Sequence, residues 1–480
     1  MTELSKSESR TASDVSMSQR WVMISVMLGT GTVSINNSSF NPAIPQLMQD
    51  FHIAEATVSW VIVIFLLSMS LSLLVTGFLS QYFGKRRVYL SALSIFMLSS
   101  ICGVLASTFE TVLAIRALQG FSSGLMIPLS LGIIFSVTPK QQRGAATGLW
   151  GAMIMLTLAC GPMLGALILV LFNWQALFLL NVPLALLALA IGWLYLPKQS
   201  IDTSLKFDWL GFVLLAVSIV SLLIGLSTVK QLQDLQQLSF WWLLGLSGLT
   251  GFVFFWSSRK KTDAIITWRL FQSREFNYSL MISVVHTVGL FISLLLIPLL
   301  IQNTLQLSPI WTGLLLMSSA LTTSLCSNCA GKYLDQHGAK QLIIFGILLT
   351  AISFIGLGLA ANVSLILLIV CMVIHGLGFG LSYMPATTAG LNHLHDPELV
   401  TQAAAVNNLF RRLSSAVAVV IAGLYLQIRT QIFLSNHELP IAQLYAIREL
   451  FFFCAGMTLL ALPYAWKFPN HKQPKLHIEH

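Results

Sequence analysis

The chain is short of charge, and shorter still of acid. Only 9% of its 480 residues are Asp, Glu, Lys or Arg, and just 17 are acidic, whereas soluble domains carry about a quarter charged residues. That deficit excludes an ordinary soluble enzyme. Cysteine is also scarce: all six (Cys102, Cys160, Cys326, Cys329, Cys371, Cys454) fall in apolar stretches, so no disulfide framework is implied. CSNC at 326–329 has CxxC spacing, but neither a second pair nor a His at finger spacing accompanies it. It reads as small packing residues, and no metal or cofactor is expected. The sequence has no nucleophile and base constellation and no phosphate loop, which counts against an enzyme, and no sizeable soluble domain, which counts against a sensor. No basic face with interleaved aromatics exists outside the apolar blocks, so the formal charge of +9 does not point to nucleic acid.

What the chain does have is apolar sequence, 56% of it, in blocks of about twenty residues that match a bilayer core. The blocks lie at 21–44, 57–79, 88–107, 111–135, 145–170 and 174–196, then 209–229 and 239–256, then 278–301, 311–330, 340–361, 364–388, 400–428 and 449–467. The expected fold is an all-α membrane protein of 14 transmembrane helices: two pseudo-symmetric six-helix bundles with two helices inserted between them. The domain division is a disordered cytosolic tail (1–20), an N-terminal bundle (21–196), the inserted pair with a basic linker (197–277), a C-terminal bundle (278–467) and a second tail (468–480). Placing both termini in the cytoplasm assigns 20 of the 26 Lys and Arg to cytoplasmic segments and leaves only Lys230, Arg429 and Arg448 outside. This is the asymmetry that the positive-inside rule requires. Arg116, Arg411 and Arg412 remain, all within spans.

An internal repeat ties the halves together. RALQGFSSGLMIP at 116–128 has a counterpart in HGLGFGLSYMP at 375–385, with Gly120 and Gly124 matching Gly376 and Gly380. GFLSQYFGKRR at 77–87 is echoed by GKYLDQHGAK at 331–340, each a short cytoplasmic turn. Two halves on one plan suggest a transporter with its substrate path where the halves meet.

Several stretches then resemble the major facilitator superfamily, and within it the fourteen-helix drug:proton antiporters (multidrug efflux). The 77–87 stretch resembles the family's G-x-L-x-D-R-x-G-R-R loop through Gly77, Leu79, Gly84, Lys85 and Arg86. Residues 113–124 resemble the fourth-helix R-x-x-Q-G-x-G motif through Arg116, Gln119 and Gly120. CGPMLGA resembles the exporter-type G-P-x-x-G motif through Gly161, Pro162 and Gly165. INNSSFNPAIP follows the first-helix pattern at Ser38, Asn41, Ala43 and Pro45, NWQALFLLNVP the sixth-helix pattern, and VNNLFRRLSSA, which holds Asn407, the thirteenth-helix pattern with Arg411 at the family Arg. The chain departs from the family at two acids: the first-helix Asp is Asn36 and the loop Asp is Gln81, although its second-half partner Asp335 is retained.

The resemblance implies a secondary active exporter of small amphipathic compounds or drugs, working by alternating access and driven by proton antiport. A dedicated exporter of one anionic metabolite or chelator is the alternative, with a non-transport sensor or enzyme behind it. The expected cavity and coupling residues are Arg116, Gln119, Asn36, Asn41, His286, His375, Asn407 and Arg411. The expected gating residues are Gly77, Gln81, Gly84, Lys85, Arg86, Gly161, Pro162, Gly165 and Asp335. No Asp or Glu falls near mid-span, so the interior carries fixed cations without carboxylates and favours anionic or neutral solutes. His286 and His375, about eight and eleven residues into their spans, read either as neutral, hydrogen-bonded residues or as the proton relay. A small-molecule substrate, protons and the lipid bilayer are the implied partners, a periplasmic adaptor protein being left open. The cell (inner) membrane is the implied location.

Overall fold

The computed structural model describes residues 2–53, 55–58, 60–198, 201, 206–229, 232–259, 261, 264–361, 364–394 and 399–469. Among these there is no strand. Fourteen helices of fifteen or more residues follow one another: α1 Thr2–Ser39, α2 Trp60–Tyr82, α3 Lys85–Val104, α4 Phe109–Val137, α5 Arg143–Leu171, α6 Asn181–Tyr195, α7 Trp209–Thr228, α8 Leu238–Ser258, α9 Arg274–Pro298, α10 Pro309–His337, α11 Lys340–Ala360, α12 Leu365–Asn392, α13 Leu399–Phe433 and α14 Leu439–Leu459. Twelve spans are long and apolar enough to cross a bilayer, or thirteen if α5, bent by 41° between Leu158 and Met163, counts as one. The expected first span is the one outside this set. Its helix is diluted by Thr30, Thr32, Ser34, Asn36 and Ser38, every one of them buried inside the protein.

The helix ends follow local chemistry. Thr108 caps α4 by accepting the Thr111 N–H at 3.3 Å, with Glu110 in the first turn where the helix dipole favours an anion. Ser273 caps α9 by accepting the Phe276 N–H at 3.2 Å. The two short turns of the repeat are built alike, with Gly84 at φ +84° ahead of α3 and Gly338 at φ +87° after α10. A side chain is strained in that region, which explains why glycine stands at both places.

Three expectations shift. The helix drawn as α1 begins at Thr2, so the segment expected to be a disordered tail is helical, there being no Pro or Gly before Gly29 to break it. The last long helix starts at Leu439 rather than 449, with Pro440 at its first turn, where a missing N–H costs nothing. Glu449 therefore lies ten residues inside α14. Partial burial of an acid there is made tolerable by pairing: Arg429 of α13 binds both carboxylate oxygens and the Tyr425 hydroxyl donates to one at 2.9 Å. Of the three cations expected outside, Arg429 and Arg448 thus lie on helices, and position 230 falls outside the described residues, as do 470–480 of the expected second tail.

The chain packs as two compact units, and these cut across the expected domain boundaries. The first holds residues 1–146, 160–207 and 396–405; the second holds 147–159, 208–395 and 406–480. The middle of α5 thus belongs with the second-half helices. Gly148 lies so close to the Ser327 carbonyl that a Cβ would overlap it, Thr147 and Thr388 share a hydroxyl hydrogen bond of 2.6 Å, and Ser324 donates to the Ala152 carbonyl at 2.9 Å. The start of α13 belongs with the first-half helices, where Thr401 fills the space over Gly132 and Gln402 that over Gly77. Small residues on long helices make both exchanges feasible. Cys326 takes part in the same close packing, its Cβ lying 3.0 Å from where a Cβ of Gly380 would stand.

The inserted pair, α7 and α8, is joined by the Ser218 hydroxyl, which donates to the Ser247 carbonyl at 2.9 Å. Asp208 caps α7, accepting the Gly211 N–H at 3.0 Å and the Lys261 ammonium at 2.7 Å. Burial raises the Asp208 carboxyl, but the Lys261 ammonium and the Gly211 N–H outweigh it and hold the group below the usual carboxylate range. Because the folded form holds its proton less tightly, its stabilisation is complete above the unfolded value of about 4 and is lost as pH falls through the lowered one. Asp208→Ala should cost about 1 kcal/mol, a typical cap loss. The melting difference between variant and wild type in detergent should be present at pH 7 and vanish in strong acid. A difference that persists in strong acid would count against this account.

Candidate functional site

Each unit buries a polar cluster between its helices that includes expected cavity residues. In the first, Arg116 of α4 is 1% exposed. Its guanidinium donates to Asn36 Oδ1 of α1 at 2.7 Å, to Gln119 Oε1 one turn along at 3.2 Å, and through Nε to the Val61 carbonyl of α2 at 3.2 Å. Gln119 in turn donates to the Ser100 hydroxyl of α3 at 2.9 Å. The rings of Phe40 and Phe65 close on the guanidinium at 4.5 and 4.3 Å. A cation buried in this way requires partners or a π-face, and this one has both, with no carboxylate among its described partners. Asn36, standing where the family has an acid, supplies a neutral acceptor.

Glycines make the cluster compact. A Cβ on Gly120 or Gly124 would overlap the backbone carbonyls of Phe65 and Met69, so α4 runs directly against α2. Gly161 and Gly165 do the same for α5 against Ser38 and Ser39 of α1. The stretch that resembles the G-P-x-x-G motif therefore packs inside the first unit. Of the bend, Pro162 lies at its centre, but its ring is outside the described side chains. Asn41 opens a short 3-10 turn, Asn41–Ala43, after α1; its side chain is likewise outside the description.

The second cluster centres on α9 and α12. His286 is 2% exposed, with Nδ1 3.0 Å from the Ile282 carbonyl and Nε2 2.6 Å from the Ser382 hydroxyl. His375 is 1% exposed, with Nδ1 3.2 Å from the Ser319 hydroxyl of α10, while its Nε2 has no hydrogen-bond partner among the described residues. Phe379 lies between the two imidazoles. Arg411 of α13 donates from Nε to the Thr287 hydroxyl at 2.8 Å, and its guanidinium lies 4.5 Å from the centre of the Tyr383 ring. Asn407 is buried with its Oδ1 unpartnered among the described residues; the neighbouring Asn408 faces Arg411 instead, at 3.5 Å.

Apart from Gly161, Pro162 and Gly165 of α5 and Asp335 of α10, the expected gating residues fall around the turn between α2 and α3. Gly77 faces Gln402, Arg86 donates to the Trp193 carbonyl, Lys85 is buried at the start of α3, and Gln81 is half-buried near the end of α2. Asp335 ends α10 in the matching place of the repeat.

The sequence reading missed Phe40, Phe65, Ser100, Thr287, Ser319 and Ser382. Only two of them had a usable trace: Phe40 lies within INNSSFNPAIP, and Ser382 one turn of helix after Gly378 in the repeated HGLGFGLSYMP. The others are ordinary residues on apolar faces until the neighbouring helix is in place.

The family model of the Major Facilitator Superfamily matches residues 26–419, and again 279–479. The lincomycin resistance protein LmrB of Bacillus subtilis is 27% identical over 410 residues, 84% of each chain. Multidrug resistance protein 3 of the same organism is 26% identical over 411 residues, covering 85% of this chain and 79% of that protein. The riboflavin transporter RibZ of Clostridioides difficile is 28% identical over 368 residues, 76% of this chain and 79% of its own. Among solved structures, the proton:xylose symporter XylE superposes with a TM-score of 0.68 at 15% identity, over 95% of this chain and 97% of that one. The human organic anion transporter MFSD10 gives 0.63 at 16%, over 93% and 99%. By sequence and by fold the chain belongs to the major facilitator superfamily and is a multi-pass membrane transporter, not an enzyme.

Proposed function

We propose that this transporter is a proton-driven exporter of small amphipathic compounds, anionic or neutral ones in preference to cations, working by alternating access in the cell (inner) membrane. On this reading α1 and the bent α5 complete fourteen spans, and both termini are cytoplasmic. The observation that carries the solute preference is the neutral shell of Arg116: its partners Asn36, Gln119 and Val61 leave the positive charge uncancelled. Arg411 repeats the pattern with Thr287 and Tyr383. Glu449, the acid inside α14, is neutralised by Arg429. Fixed cations in a low-dielectric interior raise the local concentration of anions. The export direction is supported by the G-P-x-x-G motif and by relatives named for lincomycin and multidrug resistance.

The test is efflux from cells lacking their own pumps, with and without the protein, using the anion carboxyfluorescein and the cation ethidium. Faster loss of carboxyfluorescein, abolished by a protonophore, is the expected result. Preferential loss of ethidium would overturn the solute preference, and indifference to the protonophore would overturn the energy source.

A further inference from the structure

Hydrogen bonds in the second cluster constrain where its protons sit. The Ile282 carbonyl only accepts, so the 3.0 Å contact fixes a hydrogen on Nδ1 of His286. The opposite nitrogen faces the Ser382 hydroxyl at 2.6 Å, and that same hydroxyl lies 2.7 Å from the Gly378 carbonyl. A serine has one hydrogen to give. If His286 is neutral, the hydrogen must go to Nε2 and the Gly378 carbonyl goes without it. With a second proton on the ring, Nε2–H donates to Ser382 Oγ, the hydroxyl turns to Gly378, and every contact is satisfied at once. The geometry is thus complete for the protonated ring as well as workable for the neutral one.

A second observation points the same way. His375, on the far side of Phe379, keeps a buried Nε2 with no hydrogen-bond partner among the described residues, so a second ring nitrogen is available in the same layer. The cation facing this layer is placed to sense the proton. Arg411 is held by Thr287 and Tyr383, which follow His286 and Ser382 directly in the chain. A cation bound to the residue next to His286 disfavours a second positive charge there in a low dielectric.

We propose that His286 is a proton-binding site of this transporter, with the Ser382 hydroxyl as a rotor that follows ring protonation and with Arg411 docking on Thr287 as the competing state. The coupling proton binds by forming an Nε2–H bond at His286, while the serine hydrogen moves from Nε2 to the Gly378 carbonyl. Release of Arg411 from Thr287 favours protonation, and its return expels the proton. The remaining titratable groups on and near α9 do not supply a counter-ion: Glu275, eleven residues or about 16 Å of helix before His286, accepts from the Ser273 hydroxyl, Tyr383 faces Arg411, Arg412 is a second cation, and Glu449 is paired with Arg429. On α10, Ser319 is what reaches this layer, and Lys332 and Asp335 lie thirteen or more residues further along, about 20 Å of helix. The layer is completed by Phe354 of α11 and Phe451 of α14.

The use of the proton to drive export rests on the function proposed above, but the site itself does not. The whole protein, labelled with ¹⁵N-histidine in lipid nanodiscs, should show at high pH neutral rings with the hydrogen on Nδ1 for His286 and for His393, whose Nδ1 lies 2.8 Å from the Ala389 carbonyl. The His286 ring should be identified by its loss in His286→Gln and should become doubly protonated as pH falls. Ser382→Ala removes the acceptor of Nε2–H and should move the titration to lower pH, a shift that a purely structural histidine would not show. A ring that stays neutral until the protein unfolds, or a titration unmoved by Ser382→Ala, would overturn the site. In proteoliposomes, His286→Gln should reduce pH-gradient-driven carboxyfluorescein movement at least tenfold, and wild-type rates in that variant would overturn the coupling role. Wild-type protein that moves no carboxyfluorescein at all would instead sink the exporter reading, with the ¹⁵N titration still deciding the proton site.

Discussion

Arg116→Ala should abolish transport and lower the melting temperature more than any other single substitution of a polar residue in the first unit. Truncation leaves Asn36 Oδ1 without its donor, removes the second donor from the Val61 carbonyl, which keeps its helical N–H, weakens the hold on Gln119, and opens the space between Phe40 and Phe65. An orphaned buried acceptor costs about 1–3 kcal/mol, and the cavity adds to that. A gain opposes these losses, because a desolvated guanidinium is itself unfavourable and its removal relieves that cost. Arg116→Met separates the two: it refills much of the volume, lifts the desolvation cost and still leaves Asn36 Oδ1 unpaired. If the unsatisfied acceptor dominates, Met should be nearly as damaging as Ala; if volume dominates, Met should be close to wild type in stability. Arg116→Lys keeps the charge but offers a single ammonium to three acceptors that the planar fork reaches together, so it should fall between wild type and Ala. Thermal melting in detergent alongside carboxyfluorescein efflux reads both effects, and an Ala variant that melts and transports like wild type would sink the clamp.

The second large effect is expected at Gly120. A methyl group there meets the carbonyl of Phe65, which is backbone and cannot rotate aside, so Gly120→Ala must push α4 away from α2. Overpacking of this kind costs about 1–3 kcal/mol. It also has a chemical consequence, since Phe65 carries the ring that covers Arg116 from 4.3 Å. Gly376→Ala in the second half should behave alike, its Cβ meeting the carbonyl of Ser319, the residue whose hydroxyl contacts His375. Gly245 of α8, with open space around it, is the control: alanine there should be neutral or stabilising by up to about 1 kcal/mol. Melting temperatures of the three variants check the ordering, and equal melting of Gly120→Ala and Gly245→Ala would refute the close-approach account.

Spacing in the linear chain already sets these glycines apart. Gly120 and Gly124 match Gly376 and Gly380 in the repeat, and each pair seats its helix on the carbonyls of a neighbour: α4 on α2, α12 on α10. Apolar block length located the helices, because a bilayer sets that length. It placed the last start ten residues late, since LPIAQLYAIRE before 449 mixes polar residues into a helix that Pro440 begins. The first expected span forms a helix, but its buried Thr, Ser and Asn residues leave it outside the set long and apolar enough to cross a bilayer.

The candidate sites were legible by residue type and illegible by partner. Arg116 and Gln119 are neighbours on one helix face, three residues apart, and sequence spacing shows this directly. Nothing in a sequence announces that Ser382, ninety-six residues from His286, will close on its imidazole. A serine is tolerated in an apolar helix because it can return its hydrogen to its own backbone, as Ser122 and Ser123 do. Serine is therefore common there, and only the fold separates one that bonds its own turn from one that also reaches another helix. For the same reason the grouping of 147–159 and of the start of α13 was hidden: neither stretch carries a break in sequence pattern to mark the exchange.

That exchange has a consequence for how the molecule is made. Translation delivers the first six long helices well before Thr401 and Gln402, the residues that lie over Gly132 and Gly77. Until residue 405 has been synthesised, the first unit lacks a piece of its own packing, and α5 carries a stretch whose partners do not yet exist. Contacts of such long sequence separation form late and slowly. The N-terminal half must therefore wait in the membrane in an unfinished form, and maturation of one half is timed by the arrival of the other.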